Sequence, residues 1–451
     1  MQFDIPENIR MVLACLRGAG FRAVPVGGCV RDLLLGNAPH DWDIATSATP
    51  AEMLTAFSGF KTLEVGQSAA KHGTITVMLD RTSIEVTTFR QDGLYSDGRR
   101  PDSVRFSRVL ADDLARRDFT INAMCLGEDD TIIDLFDGRQ DLSAGIIRAI
   151  GAPDRRFSED ALRILRALRF AAALRFSIEP QTADSMLRHT GRLAALSAER
   201  VRGELEKLLC APGCTRVLLQ YRPIIVAVLP ELRPLAERVR RQTVYGRDGY
   251  VHTACAVGAA PPELPIRVAL LLHGLGMQPC ANGCELSCDG AAQSAALADG
   301  VLRRLKFSNA VREHILFLVR QYDLPLGDAD RVVMKKLLSK HGVAALNDLL
   351  AVQRAGIMAQ PGNIQHRLAR LEKAQCLMQD ILSSQSPLGR MQLAISGRDL
   401  ISAGIAPGPR LGALLELLLQ KVLEEALPNE SEALLGYAAA HVQEMTGHTA
   451  Q

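Results

Sequence analysis

GGCVRDLLLGNAPHDWDIATSATP (residues 27–50) sets a glycine pair and an arginine ahead of a short helical run, then two aspartates one residue apart where a strand begins. Gly27 and Gly28 let the backbone approach a ligand closely, with N–H groups gathered at a helix start. Arg31 adds a planar fork of donors that suits phosphate oxygens. Asp41 and Asp43 are two apart, so on a strand both carboxylates face the same side. Held that close they repel unless a cation lies between them, and magnesium commonly binds one or two carboxylates together with substrate phosphates. A bare Asp-X-Asp is ordinarily a solvated turn, and so is a bare Gly-Gly. The ordered set within one short unit is far more specific, and it points to a nucleoside triphosphate with Mg2+.

Outward from this stretch, AVPV (23–26) reads as a short buried strand and VRDLLLG as a helix closed by Gly36. Thr49-Pro50 opens a capped helix with proline at its first position. GTITVMLD (73–80) and TSIEVTTFR (82–90) alternate at period two around Asp80-Arg81, which predicts a hairpin. Glu85 takes a polar-facing position on it and is a candidate third oxygen ligand. The first 140 residues thus predict a mixed α/β head. Beyond about residue 150 the pattern is helical almost to the end, broken at VYGRDGYVHT, GAAPPELP, DLPLGD and SSQSPLGR. The expected architecture is α+β: a head over 1–140, then an all-helical neck (141–210), body (211–330) and tail (331–451). No strict repeat or low-complexity segment interrupts it.

Composition bounds the function. The chain has 451 residues, too long for one ordinary core, and 47% hydrophobic with 23% charged residues is globular. A formal net charge of +2 means that an anionic partner must be met by local patches. Aromatics at 4% argue against a broad base-stacking platform. The N-terminal stretch carries acids early and does not read as a secretory signal, and no apolar run is long enough to span a bilayer. Ten scattered cysteines fit reduced thiols in a cytoplasmic enzyme. Cys280, Cys284 and Cys288 are evenly spaced but match no zinc pattern, and read as a surface loop.

Two further segments carry chemistry. In LARRDFTINAM (114–124), Arg117 is placed to reach a phosphate, and Asp118 and Asn122 to bond ribose hydroxyls. A structural ion pair at a domain edge is an almost equal reading of the last two. SEDALRILRALRF (158–170) reads as one helix with Ser158 as N-cap, and Asp160 and Arg163 as surface neighbours. Their ordinary role would be a surface salt bridge. The sharper reading uses hydrogen-bond patterns. Cytosine and adenine each present an amino donor beside a ring-nitrogen acceptor, whereas uracil and guanine present a carbonyl beside an N–H. A carboxylate next to an arginine complements the first pair only. Arg166 and Arg169 continue the basic side, toward phosphate or RNA.

With these residues in place, the chain resembles the class II CCA-adding tRNA nucleotidyltransferases of the poly(A) polymerase superfamily. The matching segments are GGCVRD, DWDIAT, HGTITV, IEVTTFR, DGLYSDGRRPDSVRF, RRDFTINAM, EDALRILRALRF and ERVRGELEKLL, with a bacterial-type tail beginning at ISGRDL. The resemblance implies metal binding at Asp41 and Asp43, triphosphate contacts at Gly28, Arg31 and Arg117, and base reading by Asp160 and Arg163. It also implies CTP and ATP as substrates and the tRNA acceptor end as partner. Some bacterial relatives carry a metal-dependent HD phosphohydrolase domain between neck and tail. Here Gly274 follows His273 where that domain's aspartate would stand, and Tyr322 occupies an expected histidine position. His252 and His273 alone cannot build such a cage, so the body reads as a degenerate HD scaffold. The competing expectations are an A-adding or CC-adding specialist, a poly(A) polymerase, a silent RNA-binding protein and an HD-type hydrolase.

Overall fold

The computed structural model describes residues 3–63, 73–79, 82–93, 103–237, 248–276 and 290–447. They form two compact units, one of residues 1–230 with 304–306 and one of 231–303 with 307–451. The expected head and neck fall in the first unit, together with residues 211–230 and 304–306; the rest of the body and the tail fall in the second.

The first unit opens on the helix Glu7–Gly18, whose Ile9, Val12, Leu13 and Leu16 recur at helical spacing and are all buried. Five strands follow: β1 (Ala23–Pro25), β2 (Asp43–Thr46), β3 (Lys61–Leu63), β4 (Thr74–Leu79) and β5 (Thr82–Thr88). They form one sheet in the order β1-β2-β5-β4-β3. The β4–β5 pair is the expected antiparallel hairpin, with its Asp80-Arg81 turn outside the described residues. β2 pairs in parallel with β5, which sets Asp43 opposite Glu85.

Alternation along these strands decides which side chains reach the site. Ile44, Ile75, Val77, Ile84 and Val86 pack with the first helix in one core. Complete burial of each such side chain stabilises by about 1.5–3 kcal/mol. Ala45 belongs to a second core on the other face, with Val24, Val26, Phe89 and Leu114. Asp43 shares the face of Ala45, and Glu85 lies between Ile84 and Val86, so both carboxylates face away from the first helix. Thr49 and Glu52 form a capping box with Pro50 at the first turn of the helix Pro50–Ala56, as the Thr49-Pro50 pair predicts.

Helices then dominate, apart from short pairs such as Met124–Leu126 with Ile132–Asp134. SEDALRILRALRF is not one helix. The helix Pro153–Glu159 ends at Asp160, which is extended (φ −148°), and a second helix runs Leu162–Leu174. Ser158 lies inside the earlier helix, and its hydroxyl donates to the Asp154 carbonyl. The N-cap of the second helix is Ala161, and the preceding Asp160 accepts from Leu162 N through its Oδ1 at 3.0 Å.

The second unit is helical, and its helices are separated at GAAPPELP, DLPLGD and SSQSPLGR as expected. His252 and His273 are both buried, with ring centroids 5.5 Å apart, and the Tyr322 ring lies 4.5 Å from His273. His273 Nδ1 lies 2.6 Å from the Leu270 carbonyl oxygen, a hydrogen bond in which the ring N–H donates. Burial pushes its pKa down to about 4, so the ring is neutral at pH 7. A Cβ at Gly274 would lie 3.4 Å from a methyl of Leu235. Thr253 Oγ1 lies 3.8 Å from the same Cβ position, so Leu235 and Thr253 crowd the place next to His273. Cys280, Cys284 and Cys288 lie outside the described residues.

Candidate active site

Gly27 forms the floor of the site. It caps the helix Gly28–Leu34 at φ +85°, a left-handed conformation that favours glycine, and its N–H donates to the Met124 carbonyl at 3.0 Å. A Cβ there would lie 2.9 Å from Arg117 Nη1 and 4.0 Å from Asp43 Oδ2. A cationic and an anionic pole thus face each other across a gap that only glycine leaves open. Gly28 begins the helix, and a Cβ on it would lie 3.7 Å from Arg31 Nη2.

Asp43 opens β2, whereas Asp41 lies in the bend just before it. The expectation of two carboxylates on one strand is corrected to one on the strand and one at its approach. They still act on each other. Burial is the main cause that raises the Asp43 pKa; Arg117 and Arg166 pull it down, and Asp41 pushes it up. The Glu85 pKa is raised by burial, then by Asp43 and Asp41. Among the described residues, no three His, Cys, Asp or Glu side chains are grouped to hold a metal on their own. Two mutually repelling carboxylates remain as donors, and this set fits a hard divalent cation that draws its other ligands from a substrate polyphosphate and water.

The arginines are held by carboxylates. Asp113, which is fully buried, accepts from Arg116 Nη2 at 2.6 Å and Arg117 Nη2 at 3.1 Å. Arg31 donates to Asn122 Oδ1 at 2.7 Å and to Asp32 Oδ1 at 2.8 Å. Asn122 Nδ2 donates in turn to Asp118 Oδ1 at 3.2 Å, and Asp118 Oδ2 accepts from Arg166 Nε at 2.6 Å. Burial alone would raise the Asp118 pKa, but Arg166 holds it down at about 2. Asp118 and Asn122 are therefore members of a chain that runs from Arg166 to Arg31, as well as candidates for a ribose.

The Asp160 and Arg163 side chains are not paired with each other, although the Arg163 backbone N–H donates to the Asp160 carbonyl at 3.1 Å. Asp160 Oδ2 accepts from Arg200 Nη2 at 2.6 Å. Arg163 Nη1 donates to Glu159 Oε2 at 2.7 Å, and its Nη2 to the Arg116 carbonyl at 2.9 Å. The expected surface salt bridge is thus replaced by two separate pairs, because the break at Asp160 takes its side chain off the helix surface. Arg169 pairs with Glu204 at 2.7 Å. Asp113, Glu159, Arg200 and Glu204 carry no role in the sequence reading. The signal for the last two was available: they stand four apart in ERVRGELEKLL, on one side of the helix Ala198–Leu209. Residues 94–102 lie outside the described residues, as does His72.

Comparison with known proteins agrees with this geometry. Residues 23–148 match the poly(A) polymerase head domain, residues 175–234 the RNA- and SrmB-binding site of polymerase A, and residues 290–438 tRNA nucleotidyltransferase domain 2. The fold and the matched domains define a nucleotidyltransferase. The CCA-adding enzyme of Limosilactobacillus fermentum is 35% identical over 95% of both chains. That of Levilactobacillus brevis is 35% identical over 96% of this chain and 99% of its own. The crystal structure of the Bacillus stearothermophilus CCA-adding enzyme in complex with CTP superimposes with a TM-score of 0.70 at 29% identity, covering 98% of this chain and all of that one. The chain belongs to the CCA-adding enzyme family of tRNA nucleotidyltransferases. Nucleotidyltransferases of this kind generally work with divalent metal ions. No helix among the described residues is long and apolar enough to cross a membrane.

Proposed function

We propose that this chain adds C, C and A in turn to the 3′ end of tRNA, from CTP and ATP and without a nucleic-acid template. The observation that carries the reading is the cradle at Gly27, where Arg117 and Asp43 approach the same small space. In this reading the tRNA 3′ oxygen bonds to the α-phosphorus of the bound nucleotide, the bridging P–O bond breaks, and pyrophosphate leaves. Gly27, Gly28, Arg31 and Arg117 bind the triphosphate and fix its α-phosphorus. Asp41 and Asp43 are the residues that would hold Mg2+, which supplies a lowered 3′-hydroxyl pKa and charge neutralisation at the α-phosphate. Glu85 adds negative potential beside Asp43. Asp118 and Asn122 keep Arg31 and Arg166 in place and are assigned to the ribose hydroxyls. Asp160 and Arg163 read the base, and Arg166 and Arg169 supply positive charge for phosphate or RNA. We assign four functional parts: a head over 1–140, a neck over 141–210, a degenerate HD-like body over 211–330 and a tRNA-binding tail over 331–451. A cytoplasmic place of action suits this substrate and the free thiols, such as Cys29, Cys125 and Cys376.

The test uses three tRNA transcripts, ending before CCA, after the first C and after CC. Each is incubated with protein, Mg2+ and single labelled nucleotides, beside an Asp41→Ala/Asp43→Ala variant. Ordered C, C, A addition that disappears in the variant supports the full reading. Addition of A to the CC-ended transcript alone makes the protein an A-adding specialist, and no incorporation on any transcript rejects the reading.

A further inference from the structure

The Phe170 ring, only 6% exposed, has three guanidinium groups around it. The Cζ atoms of Arg169, Arg31 and Arg166 lie 4.1, 5.1 and 5.4 Å from its centroid. Arg31 comes from the helix Gly28–Leu34, whereas Arg166 and Arg169 share the helix Leu162–Leu174 with Phe170 itself. The ring is fixed from another side by Phe119, edge to face, at 6.0 Å and 82°.

Three cations this close repel one another, and carboxylates meet them: Asp32 pairs with Arg31, Asp118 with Arg166, and Glu204 with Arg169 and, at 4.0 Å, with Arg166. Those carboxylates occupy N–H donors of the guanidinium fork. An aromatic face differs in kind. Its quadrupole attracts the cation and consumes no N–H group, so donors stay available for a further anion. A leucine in this place would keep an apolar side chain, though a smaller one, and offer no such attraction.

We propose that Phe170 is a positioning residue for the nucleotide triphosphate, its ring gathering Arg31, Arg166 and Arg169 into one cationic group whose outward N–H donors meet the phosphates. This deepens the proposed function and rests on the triphosphate reading of the Gly27 cradle. Phe170 acts through the arginines and does not itself touch substrate.

Site-specific replacement of Phe170 by 4-fluoro-, 3,4-difluoro- and 3,4,5-trifluorophenylalanine in the full chain drains the ring face of negative charge at nearly constant shape. Equilibrium binding of CTP and the melting temperature are measured across the series, with Phe170→Leu as a further variant. The expected result is a Kd that rises at each step, on the order of tenfold in total, with the melting temperature unchanged. A flat Kd overturns the proposal, as does a Phe170→Leu variant that binds like the wild type. A Kd that rises only together with a falling melting temperature reduces Phe170 to packing and overturns it too. Failure of the wild type to bind CTP removes the triphosphate reading and this proposal together, whereas a flat series on a tightly binding wild type removes the proposal alone.

Discussion

Asp43 and Glu85 stand opposite each other in register on the parallel neighbours β2 and β5, with Asp41 at the approach to β2. Both pKa values are raised from their ordinary values, chiefly by burial. A raised folded-state pKa favours the protonated form. The stability that it contributes is present at low pH and lost as pH rises through that pKa. At neutral pH without metal these acids oppose folding. Asp43→Asn therefore raises the melting temperature at pH 7.5 in chelator by roughly 1–4 °C while abolishing nucleotide addition. Melting curves in chelator and in excess Mg2+ check this. Magnesium is expected to stabilise the wild type and not the variant, and an unstabilised variant in chelator contradicts the account.

Asp118 has the opposite sign. Its pKa is held at about 2, well below the unfolded carboxylate, by Arg166 against the effect of burial. Its contribution is present above the unfolded pKa and lost as pH falls toward 2. Arg166→Ala leaves a buried carboxylate without its main partner, at a cost of about 2–4 kcal/mol near pH 7. The cost shrinks on acidification, because an unpaired Asp118 takes up its proton earlier. Urea unfolding of both proteins at pH 7.5 and pH 4 measures the difference, and a gap independent of pH argues against it.

The 2.6 Å pair between Arg200 and Asp160 bears on the base reading proposed for Asp160 and Arg163. Arg200 holds one carboxylate oxygen while the other accepts from the Leu162 N–H, so the carboxylate has a single orientation. Arg200→Ala is expected to loosen discrimination of CTP and ATP against UTP and GTP by about tenfold, within the range of one good base contact. Arg200→Lys restores part of it. Steady-state incorporation with each of the four nucleotides gives the ratio, and an unchanged ratio in the alanine variant disconnects Arg200 from base reading.

In the second unit, burial lowers the His273 pKa to about 4. Its neutral ring contributes stability above the unfolded value, and this is lost as pH falls from about 6.5 toward 4. Replacing His273 with asparagine removes that acid sensitivity at the expense of stability at pH 7.5. Denaturant midpoints at pH 7.5 and 5 for both proteins test this; equal acid sensitivity refutes it.

Local pattern was enough for much of this protein. The period-two alternation of GTITVMLD and TSIEVTTFR specifies a hairpin with one apolar face, and Ile84 and Val86 on that face leave Glu85 on the other. Thr49, Pro50 and Glu52 carry a helix start within four residues. The glycine pair, Arg31 and the two aspartates announce phosphate chemistry by type and order alone. In these cases the interacting groups are near in sequence, or the donor chemistry is specific to the residue. What remained hidden depends on which distant segments meet. Nothing in EDALRIL reveals that the helix breaks at Asp160, because the apolar spacing continues unbroken through it; the break becomes visible only with the Arg200 partner 40 residues away. Asp113 beneath Arg117, Glu204 beside Arg169 and Phe170 among three arginines are likewise products of packing. The sequence by itself determined which residues are candidates for the chemistry, because donor type and order are local properties. Only the tertiary structure decided which charge neutralises which, because pairing energies depend on distance and burial, and neither is written in the order of residues.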